Sequence, residues 1–223
     1  MYEARSEEWE KKFEQEIKIT KKMRSNVDRK LVNSKQYHDK FEKININKKC
    51  LEEIYTNSKK ILEKADGSDK EYMCILDARS GNVIVSTLDR YASNDKVALT
   101  ISEYNIMKQF EKEVVVIHNH SRNGRPSYAD IHNCLCEKQI SVSIILCHDG
   151  EIFVLDNFNR KIDVAEIMRR LYNEKVRIRL RLSEKEDIPK DMGKHIVSEC
   201  KIKAVTELYR INEKKKYFSI RRM

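Results

Sequence analysis

The sequence is short of chain-breaking residues and has no long apolar run. It contains five glycines and two prolines in 223 residues, and neither type occurs in the first 66. Apolar runs such as 114–117 and 144–147 fall far short of the roughly 20 residues that a membrane-spanning helix needs. The N-terminal stretch MYEARSEEWEKKFEQEIK also lacks the apolar core of a signal peptide. We therefore expect no membrane partner and a cytoplasmic location.

A second cysteine pair at zinc-ribbon spacing is missing as well. Six cysteines occur along the chain, and Cys134 and Cys136 form a CxC pair. Structural zinc sites built from cysteine combine two such pairs, so this class of site is not expected. Without a secretion signal, reduced thiols are expected instead of disulfides. We expect one thiol of the CxC pair to be buried and the other exposed.

Positive charge is in excess and is concentrated near one end of the chain. The formal net charge is +9, and residues 163–223 contain 17 Lys and Arg against 10 Asp and Glu. A basic tail of this kind can contact nucleic acid or an acidic protein. A solvated helical surface explains the same charge equally well, because no specific nucleic-acid motif accompanies it.

Composition divides the chain into three segments. Residues 1–66 favour a helical N-terminal extension, since apolar residues recur at helical intervals in WEKKFEQEIKITKKM and CLEEIYTNSKKILEKA. The breaker cluster Asp66-Gly67-Ser68 then marks the entry to a domain at 67–158. Residues 159–223 predict a basic helical C-terminal extension.

The central segment alternates strand and helix patterns. EYMCILDARSGNVIVSTLD predicts two strands, ISEYNIMKQFEKE a helix, VVVI a buried strand and SYADIHNCLCEKQ a helix opened by Ser127. ISVSIILCHDGEIFVLD predicts a hairpin with His148 in its turn, where we expect an exposed side chain. This order indicates a compact mixed α/β unit of about ninety residues.

The stretch VVVIHNHSRNGRPSYADI holds the candidate chemistry. Residues i and i+2 of a strand point the same way, so His118 and His120 can share a metal ion. Asp130, early in the next helix, can supply a third ligand and leave the fourth position of a tetrahedral zinc open. Taken separately, Ser127 and Asp130 also fit a helix N-cap with its acidic third residue. The combination directly after a buried strand favours a metal site.

This combination resembles a known signature. His118-Asn119-His120 followed by Ser127-Tyr128-Ala129-Asp130 resembles the H-x-H…S-x-x-D motif of JAB/MPN (JAMM-type) metallopeptidases. IHNH is similar to the HNHP version of RadC-like proteins and of phage head-morphogenesis JAB domains, and a prophage origin is compatible with this likeness. Over about residues 65–157, the resemblance implies an α/β fold with a JAB/MPN-like (cytidine-deaminase-like) mixed sheet and flanking helices. The N- and C-terminal helical extensions lie outside it.

The resemblance also implies roles for individual residues. His118, His120 and Asp130 would bind Zn²⁺, and Ser127 would stabilise the tetrahedral intermediate. A glutamate on an earlier strand would be the general base on the zinc-bound water. We expect this glutamate to be Glu71, which opens the strand EYMCILD.

Three other glutamates compete for the role of base. They are Glu103, Glu111 and Glu113. At the rise of a strand, Glu113 would lie about 15 Å from His118, at the far end of the same strand. That distance makes it a poor candidate.

Two functions remain open from the sequence. The first is a zinc-dependent metallopeptidase or isopeptidase acting on a protein or peptide substrate. The second is a non-catalytic JAB-fold interaction module, related to phage heads or RadC, that contacts nucleic acid or an acidic protein through its basic C-terminus. The complete set of ligands and a plausible base favour the first.

Overall fold

The computed structural model describes residues 26–90, 97–121, 124–159, 173, 205–206, 208–210 and 212–223. The helix predicted in WEKKFEQEIKITKKM and most of the predicted C-terminal extension lie outside these residues. Among the described helices, none combines the length and apolar character needed to cross a membrane.

The described chain is a mixed α/β structure, as predicted. Its helices are α1 (Arg29–Val32), α2 (Lys35–Phe41), α3 (Lys48–Ala65), α4 (Ile101–Gln109) and α5 (Tyr128–Cys136). Its strands are β1 (Met73–Asp77), β2 (Val83–Ser86), β3 (Val114–His120), β4 (Ile140–Cys147), β5 (Ile152–Asp156) and β6 (Ser219–Arg222). The helices and strands predicted for the central segment are all present.

The six strands form one open sheet in the order β2-β1-β3-β4-β5-β6. β3 and β4 run parallel, and the other neighbouring pairs are antiparallel. β6 was not predicted, because residues 219–222 belong to the segment interpreted as helical. This strand adds to the edge of β5 with Ser219 opposite Asp156, and the guanidinium of Arg221 donates to the Asp156 carboxylate. The basic residues at this point therefore serve strand pairing.

One face of the sheet, which we call the α3 face, is covered by α1, α2 and α3. The side chain of Asn47 caps α3 by accepting the N–H of Cys50 at 2.9 Å. The helix then buries Ile54, Ile61 and Leu62 in a core shared with Cys74, Leu76, Val115, Ile117, Val142, Ile144, Leu146, Ile152 and Val154 of the sheet. The described helical residues before Asp66 thus share one hydrophobic core with the strands after it.

The opposite face, the α5 face, is covered by α4 and α5 and has two smaller apolar clusters. One contains Ile131 and Leu135 of α5 together with Leu208 and Phe218 from the C-terminal segment. The other joins Met107 of α4 to strand residues Ile75, Val85, Val114, Val116 and Ile140. β3 serves both faces, because its successive side chains alternate between them.

The predictions for cysteine can be compared with the described residues. Cys134 is buried and Cys136 is exposed, which confirms the prediction for the CxC pair. No disulfide joins the cysteines of the described chain.

Candidate metal centre

β3 and α5 bring the three predicted ligands together on the α5 face. The apolar residues Val114–Ile117 anchor β3 in the middle of the sheet, between β1 and β4. His118 and His120 follow on the same face at the end of the strand, and His118 is 4% exposed. The chain reverses and enters α5, which places Asp130 beside both rings.

The spacing of the donor atoms on these three residues fits a metal ion. His118 Nε2 lies 3.1 Å from one Asp130 carboxylate oxygen, and His120 Nε2 lies 3.3 Å from the other. The two Nε2 atoms are 3.2 Å apart. In a tetrahedral zinc site with bonds of about 2.1 Å, ligand atoms are separated by about 3.4 Å. Two imidazoles and one carboxylate at this spacing are a donor set that zinc accepts.

Asp130 caps its helix and faces the histidines at the same time. Ser127 Oγ accepts the N–H of Asp130 at 3.3 Å, and the Asp130 carboxylate accepts the N–H of Ser127 at 2.6 Å. This reciprocal pair is the capping box that the sequence suggested. The helix cap and a position suited to a metal ligand, which appeared as separate explanations of Asp130, are therefore compatible on one carboxylate. The cap also fixes the carboxylate in place.

The hydrogen bond on the far side of the His120 ring sets its tautomer. Nδ1 of His120 lies 3.0 Å from the carbonyl oxygen of Gly124. Because a carbonyl oxygen can only accept, Nδ1 carries the proton and the Nε2 of the neutral ring keeps its lone pair. That lone pair is the one a metal would use, and such a backing hydrogen bond is typical of metal-binding histidines.

The charges of the cluster favour a cation. Burial alone would raise the pKa of Asp130, but the charges and hydrogen bonds of His118 and His120 hold it well below its usual value. Burial opposes the charged form of His120, yet the hydrogen bond and charge of Asp130 outweigh it and raise the pKa of His120. The carboxylate therefore stays ionised, and the cluster attracts positive charge.

The charge of Glu71, two residues before β1, acts on the same cluster. β1 and β3 pair antiparallel with Met73 opposite His118, and the N–H of Asn119 donates to the Tyr72 carbonyl at 3.3 Å. The strand β1 begins at Met73, and continuing its register back by two residues would bring Glu71 opposite His120, on the same face of the sheet. The negative charge of Glu71 contributes to the raised pKa of His120.

Asn119, between the two histidines, holds the chain on both sides of Glu71. Its side-chain oxygen accepts the N–H of Tyr72 at 2.7 Å, and its amide nitrogen donates to the carbonyl of Lys70 at 3.0 Å. The same nitrogen lies 3.1 Å from Nε2 of His148. Sequence reasoning missed this role, although strand alternation already places residue 119 on the opposite face from its neighbours.

The prediction for His148 was wrong. It lies in the turn between β4 and β5, but it is 0% exposed. The reason is tertiary: the chain leading into α1 covers the turn, and the N–H of Asp28 donates to the His148 carbonyl at 2.8 Å. His148 therefore supports Asn119 from the α3 face.

The competing glutamates occupy other places. Glu103 belongs to the capping box of α4 with Thr100 and pairs with Arg90 at 3.1 Å. Glu113 precedes β3 at the end opposite the histidines and accepts the N–H of Ala78 through its carbonyl. Glu111 is exposed in the same connection between α4 and β3.

Comparison with known proteins identifies no relative. No protein-family model matches the sequence, and neither the curated proteins nor the solved structures contain a match.

Proposed function

We propose that the protein is a zinc-dependent hydrolase of peptide or isopeptide bonds, of the JAMM type that its H-x-H…S-x-x-D motif resembles. The observation that carries this proposal is the cluster of His118, His120 and Asp130. Their ligand atoms lie within 4.8 Å of one another, at separations close to those of a tetrahedral zinc site. Glu71 precedes β1 by two residues, and its negative charge acts on His120, which makes it the proposed carboxylate beside the cluster.

The protein residues have distinct tasks in this proposal. A bound zinc ion would polarise the scissile carbonyl and lower the pKa of water. Glu71 accepts the proton of the attacking water and returns it to the leaving amine, as general base and then general acid. The Ser127 hydroxyl, held at the start of α5 by the cap, donates a hydrogen bond to the developing oxyanion.

Metal analysis tests the site directly. The purified protein should contain about one equivalent of zinc, and His118→Ala should lose most of it because one of three protein ligands is removed. His38→Ala is the matched variant and should keep the zinc, because His38, Asp39 and Glu42 form the other group of described residues that could hold an ion, and loss of zinc there instead would place the metal on α2. A zinc content that is the same in His118→Ala and the parent protein would refute the site.

Substitution of the proposed base separates binding from chemistry. Glu71→Gln should keep the zinc and lose about 10²- to 10⁴-fold in hydrolysis, the range for a general base. Glu113→Gln, at the other end of β3, should cleave at the rate of the parent protein. Full activity in Glu71→Gln would show that another group is the base.

The nucleic-acid-binding module is the second candidate, and the described residues favour it less. Arg221 and Arg222 pair with Asp156 and Glu151, so part of the basic C-terminus is already neutralised within the sheet. If the tail binds nucleic acid, affinity should fall steeply with salt and weaken when the exposed Lys214 and Lys215 are both replaced by glutamine, which leaves β6 and its core contacts in place. Absence of such binding would exclude this alternative.

A further inference from the structure

A cavity of about 370 Å³ opens directly beside the metal centre. His118 and Asp130 form one end of it. The walls come from three sources: Met73, Ile75 and Val116 of the sheet, Met107 of α4 and Cys134 of α5. The cavity thus lies where α4 and α5 separate over the sheet, between the histidines and the apolar cluster around Met107.

The lining of the cavity does not favour the binding of a charged side chain. Apart from Asp130, the carboxylate in the lining is that of Glu137, and both of its oxygens already have a hydrogen-bond or ion-pair partner. Lys108 Nζ lies 2.9 Å from one oxygen, and the hydroxyl of Tyr104 donates to the other at 3.0 Å. A charged side chain entering the cavity would lose its hydration without gaining an uncompensated partner, which disfavours it.

The protein surface around the opening of the cavity also carries exposed apolar side chains. Ile101, at the first position of α4, is 83% exposed, and Tyr104 one turn later is 39% exposed. Both residues also line the cavity. Exposed apolar groups that continue into a cavity are typical of a binding surface, because covering them removes apolar area from water.

We propose that this cavity binds an apolar side chain of the substrate, on the residue next to the scissile bond. The inference rests on the proposed hydrolase function, because it takes the position of the reaction from His118 and Asp130. The volume and the walls suit leucine, methionine or phenylalanine, and the mouth at Ile101 suits an extended peptide strand that continues beyond the site.

Binding to the full-length protein as purified tests the cavity without requiring activity. N-acetyl-leucine amide and N-acetyl-phenylalanine amide should shift the amide NMR signals of residues around Met107 and Val116. N-acetyl-lysine amide and N-acetyl-aspartate amide should bind at least about tenfold more weakly, in the range by which apolar pockets discriminate. Equal binding of the four probes would overturn the proposal.

A pair of bulky substitutions locates the binding. Ala98 is exposed and lines the cavity, so Ala98→Trp should narrow it with little effect on folding. Arg79→Trp places the same tryptophan side chain at an exposed turn outside the lining of this cavity. Affinity for the leucine and phenylalanine probes should fall about tenfold in Ala98→Trp and stay unchanged in Arg79→Trp. Unaltered affinity in Ala98→Trp would place any binding elsewhere.

Cleavage assays distinguish failure of this inference from failure of the hydrolase proposal. Peptides that vary at one residue beside the scissile bond should be cleaved by the zinc-loaded protein with apolar residues favoured. Cleavage without that preference would overturn the cavity inference and leave the hydrolase standing. Selective binding of the apolar probes without zinc uptake or cleavage would support the cavity and remove the hydrolase.

Discussion

The two faces of the sheet are filled in different ways. On the α3 face, the 18-residue helix α3 lies along the strands, and a single large core joins it to α1, α2 and the sheet. On the α5 face, two 9-residue helices cover the sheet, and the apolar residues fall into two clusters with a cavity beside the histidines. The α3 face stabilises the protein, and the incomplete cover of the α5 face leaves space for a ligand.

The strand β3 links these two environments. Val115, Ile117 and Asn119 belong to the α3 face, whereas His118 and His120 belong to the α5 face. The candidate histidines are therefore attached to a central strand whose first six residues are all buried. The packed core on the α3 face can hold β3 rigid, while the cavity on the α5 face leaves space beside the candidate histidines.

The largest expected effect is on stability, from side chains of similar size on the two faces. Ile61 on α3 is 0% exposed, and Met107 on α4 is 2% exposed but lines the cavity. Ile61→Ala should lower the free energy of unfolding by about 4 kcal/mol and Met107→Ala by about 2 kcal/mol, because Met107 already borders empty space. Urea denaturation measures both values. Equal losses would mean that the two faces are packed alike.

The next largest effect is expected from a substitution on the α3 face that changes hydrolysis at the site on the α5 face. Asn119→Ala leaves the N–H of Tyr72 and its other buried partners unsatisfied, at a cost of about 2 kcal/mol. Zinc content should stay unchanged, while hydrolysis should fall because the chain around Glu71 is no longer held. Asn57→Ala is the control, since Asn57 is also buried on the α3 face but bonds within α3. If Asn119→Ala cleaves substrate at the rate of the parent protein, the hydrogen bonds of Asn119 to the chain around Glu71 are not needed for hydrolysis.

Two helix caps provide a smaller and closer comparison. Ser127 caps α5 and Ser34 caps α2, each by accepting a backbone N–H. Replacing either by alanine should lower the free energy of unfolding by about 1 kcal/mol. Hydrolysis should fall about 10²- to 10³-fold in Ser127→Ala, if its hydroxyl acts on the oxyanion, and remain normal in Ser34→Ala. Equal activity of the two variants would mean that Ser127 only caps α5 and has no part in hydrolysis.

The smallest effect depends on pH. The N–H of Val27 lowers the pKa of Asp66, with help from Arg29 against the opposing effect of burial. A lowered pKa stabilises the fold above the unfolded value of about 3.9, and this stability is lost as the pH falls through the folded value. Asp66→Asn keeps an acceptor for the Val27 N–H but removes the charge that strengthens this bond, and should therefore cost about 1 kcal/mol at neutral pH, with little contribution from Arg29 because it is exposed. The difference from the parent protein should shrink towards pH 3, and a constant difference in urea denaturation would contradict this assignment.

Local patterns predicted most of the central segment, and long-range contacts account for what they missed. Alternation along β3 was enough to place His118 and His120 on one side, and Ser127 with Asp130 was enough to start α5. Burial of His148 could not be predicted, because it depends on the N–H of Asp28, 120 residues earlier in the chain. The strand at 219–222 likewise depends on pairing with β5, which its run of basic residues concealed.

Under the proposed function Asp130 is both a metal ligand and part of the capping box of α5, and these two roles together would restrict how the site can evolve. Histidine binds zinc as well as aspartate does, so Asp130→His would preserve a donor at the metal. It would not preserve the short bond from the N–H of Ser127 to a carboxylate at the start of α5. A change of ligand at 118 or 120 leaves that helix cap intact. Sequences that drift towards another metal preference should therefore vary at the strand positions and retain an acid at the helix position.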